Sequence, residues 1–427
     1  MAQKSKNRRI PGWLALSPIL VFLLVYLLSS ILLHDFYRVP VSSAFLLASA
    51  YAMAITPGSV EGKVKLFSQG ASQPNILLMV WIFMMAGAFA GSAKEIGSIE
   101  ATVNFTLSIV PLRMLLAGMF LTACFVSMAI GTSVGTIVAL VPIAGGIAEQ
   151  TGMSPALMTA LIVGGSFFGD NLSFISDTTI AATKAVGCRM SDKFKANFFI
   201  VLPAVIAVTA IYVFMGRNAG AAPDTGPVSW MALMPYIAVI VLAICGMNVI
   251  TVLAIGIGLN AVIGFSAGTL DWAGWLSSIG DGIAGMGDLV IVTLLAGGMQ
   301  GLIGHNGGME YLTRSLMRHV HSRRGAELGI GLLTGAANLC TANNTIAIIT
   351  TGGIVNDIAE KFGIEKKRAA SLMDISGCFV QGLIPYGAQL LMAAGLTGLS
   401  ALEIIPFLYY QFAVGICALL SVLLRRR

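Results

Sequence analysis

The chain reads as a succession of long apolar runs separated by short polar joints. Runs near 11–33, 41–56, 74–92, 154–187, 196–215, 229–245, 248–266, 288–304, 369–396 and 403–424 read as membrane spans, which predicts ten crossings. Two further runs, 112–150 and 326–359, are each long enough to cross twice, but each is interrupted by a small polar centre: GTSVGT at 131–136 and TANNT at 341–345. These are expected to be re-entrant hairpins, because non-helical backbone at membrane depth is tolerated only beside protein or a water-filled cavity. The densest polar interruption lies at 164–179, GGSFFGDNLSFISDTT, inside the 154–187 run. A helix broken around 169–176 accounts for it, and its counterpart is the 369–396 run, broken near 382–387 where Pro385 removes a helical donor.

Composition places these runs in a membrane. Of 427 residues 57% are apolar and 10% charged, and the mean hydropathy is +0.88. The first run follows Lys4, Lys6, Arg8 and Arg9. It is too long for a signal-peptide core and no small-residue cleavage site follows, so it reads as a retained span. The six cysteines form no CxxC pair and the four histidines no HExxH motif, so small packing residues are the reading for the former and no zinc site is expected.

Internal similarity divides the chain. At a shift of 210, Ala86-Gly87, Gly91, Gly97 and Glu100 fall on Ala296-Gly297, Gly301, Gly307 and Glu310. At 211, Ile147-Ala148-Glu149 and Gly152 fall on Ile358-Ala359-Glu360 and Gly363, and Phe168 and Leu172 on Phe379 and Leu383. At 209, Thr132 and Thr136 fall on Thr341 and Thr345. Two repeats, 11–215 and 229–424, joined by a polar linker at 217–227, follow from this order. Five crossings each is an odd number, so the second repeat is expected upside down relative to the first. With both termini in the cytoplasm, the segments 4–9, 63–65, 184–195, 314–324, 361–368 and 425–427 hold 21 of the 25 Lys and Arg, as the positive-inside rule asks. The first hairpin then enters from outside and the second from the cytoplasm. The net charge of +6 is thereby a topology signal, and no nucleic-acid surface is needed to explain it.

Two hairpin tips meeting near the midplane beside broken helices form the plan of a secondary transporter. Ionisable groups at that depth cost several kcal/mol and are functional by default. Asp170 and Asp177 are the sharpest candidates: seven residues apart, on one face of an unbroken helix, and brought closer by a break. Carboxylates, hydroxyls and carbonyls are hard donors suited to hard cations, so a proton and Na+ can compete for one site. The alternative is that an Asp caps the second half-helix, as Asp177 before Thr178-Thr179 can. Asn171, Ser173, Ser176 and Thr178 are candidate neutral ligands, although Ser and Thr also bond their own helix. The tips offer Thr132, Ser133 and Thr136 on one side and Asn343, Asn344 and Thr345 on the other. Asp374 stands opposite Val163 in the repeat; it is either a proton site or a carboxylate paired with a nearby hydroxyl or amide. Gln381, Gln389 and His305 are weaker candidates.

GTSVG at 131–135 also fits the G-x-S-x-G nucleophile elbow, which needs a strand–turn–helix and a base. The surroundings here are helical and apolar, and a Ser133–His305 hydrolase is the outsider. No P-loop is present, so the expected drive is an ion gradient and no cofactor is implied.

The stretch FFGDNLSFISDTT at 167–179 resembles the signature of the NhaC-type Na+/H+ antiporter family, close to FFGD-x-LSP-x-SDTT, with Phe174 standing where the family usually has proline. The ANNT tip is similar to a subgroup of that family, and the likeness covers most of the chain from about 75 onward. The resemblance implies Na+/H+ exchange in a bacterial cytoplasmic membrane, with homodimers common and no enzymatic activity. The family also resembles transporters of carboxylates and amino acids, so coupled transport of a small organic acid or amino acid stands as the second reading.

Overall fold

The computed structural model describes residues 10–32, 40–174, 176–217, 226–318 and 321–424. The basic residues Lys4, Lys6, Arg8, Arg9, Arg38, Arg425, Arg426 and Arg427, together with most of the expected linker, 218–225, lie outside the described residues.

All regular structure among the described residues is helical. The first half runs α1 (Gly12–Leu32), α2 (Val41–Ile55), α3 (Val60–Ala71), α4 (Pro74–Glu95), α5 (Ser98–Ile109), α6 (Leu115–Ile130), α7 (Ser133–Thr151), α8 (Pro155–Leu172), α9 (Asp177–Val186) and α10 (Met190–Gly216). The second runs α11 (Trp230–Ile244), α12 (Val249–Ala267), α13 (Trp272–Gly285), α14 (Gly287–His305), α15 (Gly308–Met317), α16 (Arg323–Thr341), α17 (Asn344–Lys361), α18 (Lys366–Leu383), α19 (Ala388–Thr397), α20 (Ala401–Ile404) and α21 (Tyr409–Leu423). The chain bends by 55° between Ala401–Phe407 and Tyr409–Leu423.

Eight helices among the described residues are long and apolar enough to cross a bilayer, nine with the bent pair taken as one span. Large apolar side chains such as Leu46, Trp81, Phe125, Phe199 and Phe214 are left exposed on the outside of the bundle, where lipid would cover them. The chain is an all-α, multi-pass membrane protein. The ten expected crossings are not equal in length. Helices α2 and α11 have 15 residues each, about 22 Å at 1.5 Å per residue, against a hydrocarbon layer of about 30 Å.

Four helices occupy stretches that the apolar pattern assigns to joints: α3, α5, α13 and α15. Short length and polar content hide them. Helix α3 contains Glu61, Lys63 and Lys65, and is started by Ser59, whose side chain accepts from the Gly62 amide at 3.2 Å. Helix α13 is started by Asp271, which accepts from the Gly274 amide at 2.7 Å.

In lipid, helices gain little by hiding apolar surface from one another, so close approach of small residues carries the packing. Helix α4 lies on α13 through Gly87 against Gly282 and Gly91 against the Ser278 carbonyl. Helix α3 lies on α14 through Gly70 against Gly297 and Gly301. A Cβ on Gly87 would stand 2.2 Å from the Gly282 carbonyl oxygen, which no side chain can occupy. The sequence match of Ala86-Gly87 and Gly91 to Ala296-Gly297 and Gly301 therefore marks two small-residue seams, each joining one half of the chain to the other. Two further pairings cross between the halves in matched fashion, α2 with α14 against α12 with α4 and α9 with α17 against α19 with α7, while α6 with α8 and α16 with α18 match within the halves.

From the hairpins onward a single shift relates the two halves. Helices α17, α18, α19 and α20 begin 211 residues after α7, α8, α9 and α10. The tips obey it as well: Gly131 has φ 76° and Ala342 φ 50°, both left-handed, and Thr132 and Asn343 follow as the extended residues that open α7 and α17. The match at 209 is thus two residues out of register. Thr132 corresponds to Asn343 and Ser133 to Asn344; pairing threonine with threonine follows residue type and not place in the turn.

Candidate functional site

Helix α8 stops at Leu172 and α9 starts at Asp177, so the break is Ser173–Ser176, narrower than expected. A helix that ends inside the protein leaves its last carbonyls without backbone donors. The Gly169 carbonyl takes the Ser173 amide at 2.7 Å. The Asp170 carbonyl accepts from Thr178 Oγ1 at 2.9 Å and Ser176 Oγ at 3.1 Å. The Asn171 carbonyl accepts from Lys193 Nζ at 2.9 Å and Asn197 Nδ2 at 2.8 Å. The hydroxyls that looked like ion ligands in the sequence are, in part, what lets α8 end in the protein interior.

The Asp170 side chain points the other way, to the first hairpin tip. Its Oδ2 accepts from Ser133 Oγ at 2.6 Å and its Oδ1 from the Ser133 amide at 3.2 Å. Ser133 opens α7, so a buried carboxylate sits on a helix N-terminus, where the backbone dipole favours negative charge. The placement depends on α8 lying very close to α6. Gly165 and Gly169 face Ala123 and Ser127, a Cβ on Gly169 would fall 2.1 Å from Ser127 Oγ, and Ser127 donates to the Ser166 carbonyl.

Asp170 and Asp177 line one cavity of about 710 Å³. Thr132, Ser133, Thr178, Asn343, Asn344 and Thr345 line it too, so both hairpin tips and the first break converge on one space. Asp177 is the first residue of α9 and is exposed to the cavity. It does not cap the helix; Ser176 does, accepting from the Thr179 amide at 3.3 Å. Asn343 caps α17 through the Ile346 amide at 3.0 Å, and Asn344 Nδ2 lies 3.7 Å from Cys378 Sγ.

The other candidates stand off the cavity. Asn171 donates to the Tyr410 hydroxyl at 2.8 Å. Ser173 is buried as the residue closing α8, Ser176 caps α9, and Thr136 bonds the Thr132 carbonyl at 3.1 Å. Asp374 is fully buried in α18 and is joined to Lys193 Nζ at 2.9 Å and Asn197 Nδ2 at 2.7 Å. The Asn197 amide is a partner of the kind its sequence context suggested; the lysine is the partner that context did not offer.

Lys193 and Asn197 were missed for an identifiable reason. Lys193 falls within a basic stretch, so in sequence it reads as one of the topology charges. Its spacing of four from Asn197 puts both on one face of α10, the face that continues into Ile200, Val201 and Ala204 in the core. Arg368 reads the same way in sequence, yet it is buried against Glu327 at 3.0 Å. Gln389 also proves central. Its Nε2 donates to Ser133 Oγ at 2.9 Å, and its Oε1 accepts from Gln381 Nε2 at 2.9 Å, which also donates to the Ala342 carbonyl at 3.1 Å. A chain of neutral amides thus ties one tip to the other. Ser133 is therefore hydrogen-bonded to Asp170 and Gln389, whereas His305 is an exposed residue at the end of α14 and is not among these partners.

The cavity lining offers only oxygen donors, amides and one lysine, Lys184, among its polar described residues. No cluster of three or more His, Cys, Asp and Glu exists among the described residues. Such a lining suits a hard, weakly held cation better than a transition metal.

Known proteins share this sequence pattern. A family profile described as "Na+/H+ antiporter family" matches residues 13–217 and 225–425. The chain is 24% identical over 365 residues to the Na+/H+ antiporter NhaC of Alkalihalophilus pseudofirmus, covering 78% of this chain and 79% of that one. It is 24% identical over 381 residues to the malate-2H+/Na+-lactate antiporter of Bacillus subtilis, covering 80% of each. Among solved structures, the YdaH transporter of Alcanivorax borkumensis aligns over 95% of this chain and 97% of its own, with a TM-score of 0.45 and 15% identity.

Proposed function

The chain belongs to the Na+/H+ antiporter family, and from that premise we propose a gradient-driven exchanger of Na+ for H+ that works by alternating access. Asp170 and Asp177 hold Na+ or a proton by turns, and Ser133, Thr132, Asn343, Asn344, Thr345 and Thr178 complete the wall around the ion. The observation that carries this reading is the Asp170 carboxylate, buried on the N-terminus of α7 and opening on a cavity that both tips share. The halves 11–215 and 229–424 are read as inverted repeats on the strength of their odd crossing number, the shift of 211 and the exchanged pairings.

The cavity extends along α9 from Asp177 to Lys184 and Ala185. That end of α9 is the one the basic residues assign to the cytoplasm of a bacterial inner membrane, so the conformation is inward-open. On the far side, the Gln381–Gln389–Ser133 chain closes the path between the tips, and opening outward requires it to part.

The test is a reconstituted vesicle. An imposed Na+ gradient should move protons with no organic solute present, and Asp170→Asn should reduce that movement to the level of empty vesicles. Full exchange by Asp170→Asn would remove this residue from the mechanism.

One observation favours a second reading, Na+- or H+-coupled transport of a small organic acid or amino acid. A volume of about 710 Å³ lies within the range of small-molecule sites, roughly 300–1,000 Å³, and far exceeds a bare ion. The asparagine pair and Lys184 would then receive a carboxylate, in line with the substrates named for the Bacillus subtilis relative. Proton movement that appears only when malate, lactate or an amino acid is added would decide for it.

A further inference from the structure

Behind the cavity wall lies a second constellation that the exchange reading does not use. Lys193 Nζ has three oxygen partners: the Asn171 carbonyl at 2.9 Å, Thr179 Oγ1 at 2.7 Å and Asp374 Oδ2 at 2.9 Å. Lys193 is 1% exposed and Asp374 is 0%. The three partners come from the end of α8, the first turn of α9 and the middle of α18, so the site spans the break and reaches into the other half of the chain.

A carbonyl at a helix C-terminus, a threonine hydroxyl and a carboxylate form a ligand set for a small hard cation. The helix end contributes partial negative charge, and the carboxylate a full one. Here an ammonium group occupies the centre. It reaches that centre on a flexible stem from α10, a helix that contributes nothing else charged to the interior. Asn197, one turn further along, bonds the same carbonyl at 2.8 Å and the same carboxylate oxygen at 2.7 Å, and so holds two of the three ligands in place whether or not the lysine is there. The second half has no such arrangement: at the shift of 211 Lys193 falls on Ile404 and Asn197 on Leu408.

We propose that this pocket is a second cation site, permanently filled by the chain's own Lys193 ammonium. In this role Lys193 is a positioning residue. It supplies the positive charge that lets the broken end of α8 and the Asp374 carboxylate stay buried, and it keeps a second Na+ out, leaving the Asp170–Asp177 cavity as the one exchangeable site. The proposal rests on the Na+ reading of that cavity, and the experiment separates the two.

Full-length protein in nanodiscs is titrated with radioactive Na+ at alkaline pH. Lys193→Ala vacates the centre and admits water along the emptied stem, so it should bind one more Na+ per chain than the unaltered protein. Lys193→Ala/Asp374→Asn should lose that additional ion. Asp170→Asn/Lys193→Ala should keep it while losing the ion that belongs to the cavity. In thermal melts, NaCl should raise the unfolding temperature of Lys193→Ala by more than it raises that of the unaltered protein, whereas choline chloride should not. Unchanged Na+ stoichiometry in Lys193→Ala overturns the proposal. So does a Lys193→Ala chain that is not recovered in high Na+ although the double variant with Asp374→Asn is, because a true cation pocket would be rescued by the ion. Loss of Na+ binding by the unaltered protein would instead sink the cavity reading, and the extra ion in Lys193→Ala is measured independently of it.

Discussion

The two broken helices share a backbone and differ in nearly every side chain that matters. Ser173–Ser176 separates α8 from α9; Ile384–Gly387 separates α18 from α19, at the same positions 211 residues later. Across that shift Asp170 becomes Gln381, Asp177 becomes Ala388, Ser176 becomes Gly387 and Lys193 becomes Ile404. One exchange runs the other way, Val163 against Asp374, and that carboxylate is used at the first break, on Lys193. The lesson is that geometry and charge have been divided. Both breaks end a helix in the protein interior, but ionic chemistry is gathered at one, while the other is served by neutral amides and by Pro385.

The sharpest way to break this contrast is to exchange equivalent residues. Asp170→Asn is expected to bring Na+-driven proton movement to background, while Gln381→Ala leaves it within about tenfold of the unaltered rate, the worth of roughly one net hydrogen bond. Equal losses in a vesicle assay would mean that the two breaks work alike. Next in size is the buried ion pair. Asp374→Leu leaves Lys193 uncompensated in the interior and should cost about 3–5 kcal/mol, most of it recovered in Lys193→Met/Asp374→Leu. Melting in detergent reads both, and a double variant no better than the single one would deny that charge balance is the reason for Asp374.

A smaller effect probes the backbone. Gly169→Ala drives a methyl into Ser127 and should cost about 1–3 kcal/mol, with Asp170 displaced and apparent Na+ affinity reduced. The equivalent position in the second half is already a valine, Val380, so Val380→Ala should leave Na+ affinity unchanged. The smallest effect belongs to the neutral break. Pro385→Ala should shift stability by about 1 kcal/mol or less, chiefly through the freedom of the unfolded chain, and leave exchange intact.

Much of the scaffold was legible in sequence because apolar length and polar interruption are direct consequences of the bilayer. The hairpins turn at Gly131 and Ala342, and the breaks fall within the stretches that carried too many polar groups for an ordinary span. Helices α3, α5, α13 and α15 escaped because they are short and mixed in polarity, so no run announces them. Register at the tips escaped because matching by residue type favours threonine on threonine, whereas the turn pairs Thr132 with Asn343. Lys193 escaped for a deeper reason. A lysine near a span end satisfies a topology rule equally well whether it faces water or an aspartate 181 positions away in the chain, and only the fold distinguishes the two. Ser176 and Thr178 show the converse: hydroxyls that resemble ligands also answer the needs of a helix that ends early.

The glycine seams of α4 on α13 and of α3 on α14 bear on how the protein is made. Each seam has one edge in the first 217 residues and the other in the second part of the chain, so the leading half leaves the ribosome with its narrow glycine faces bare. It must wait in the bilayer for its complement to be synthesised. Produced alone, neither half would have a finished frame, because each seam needs a helix from the other half.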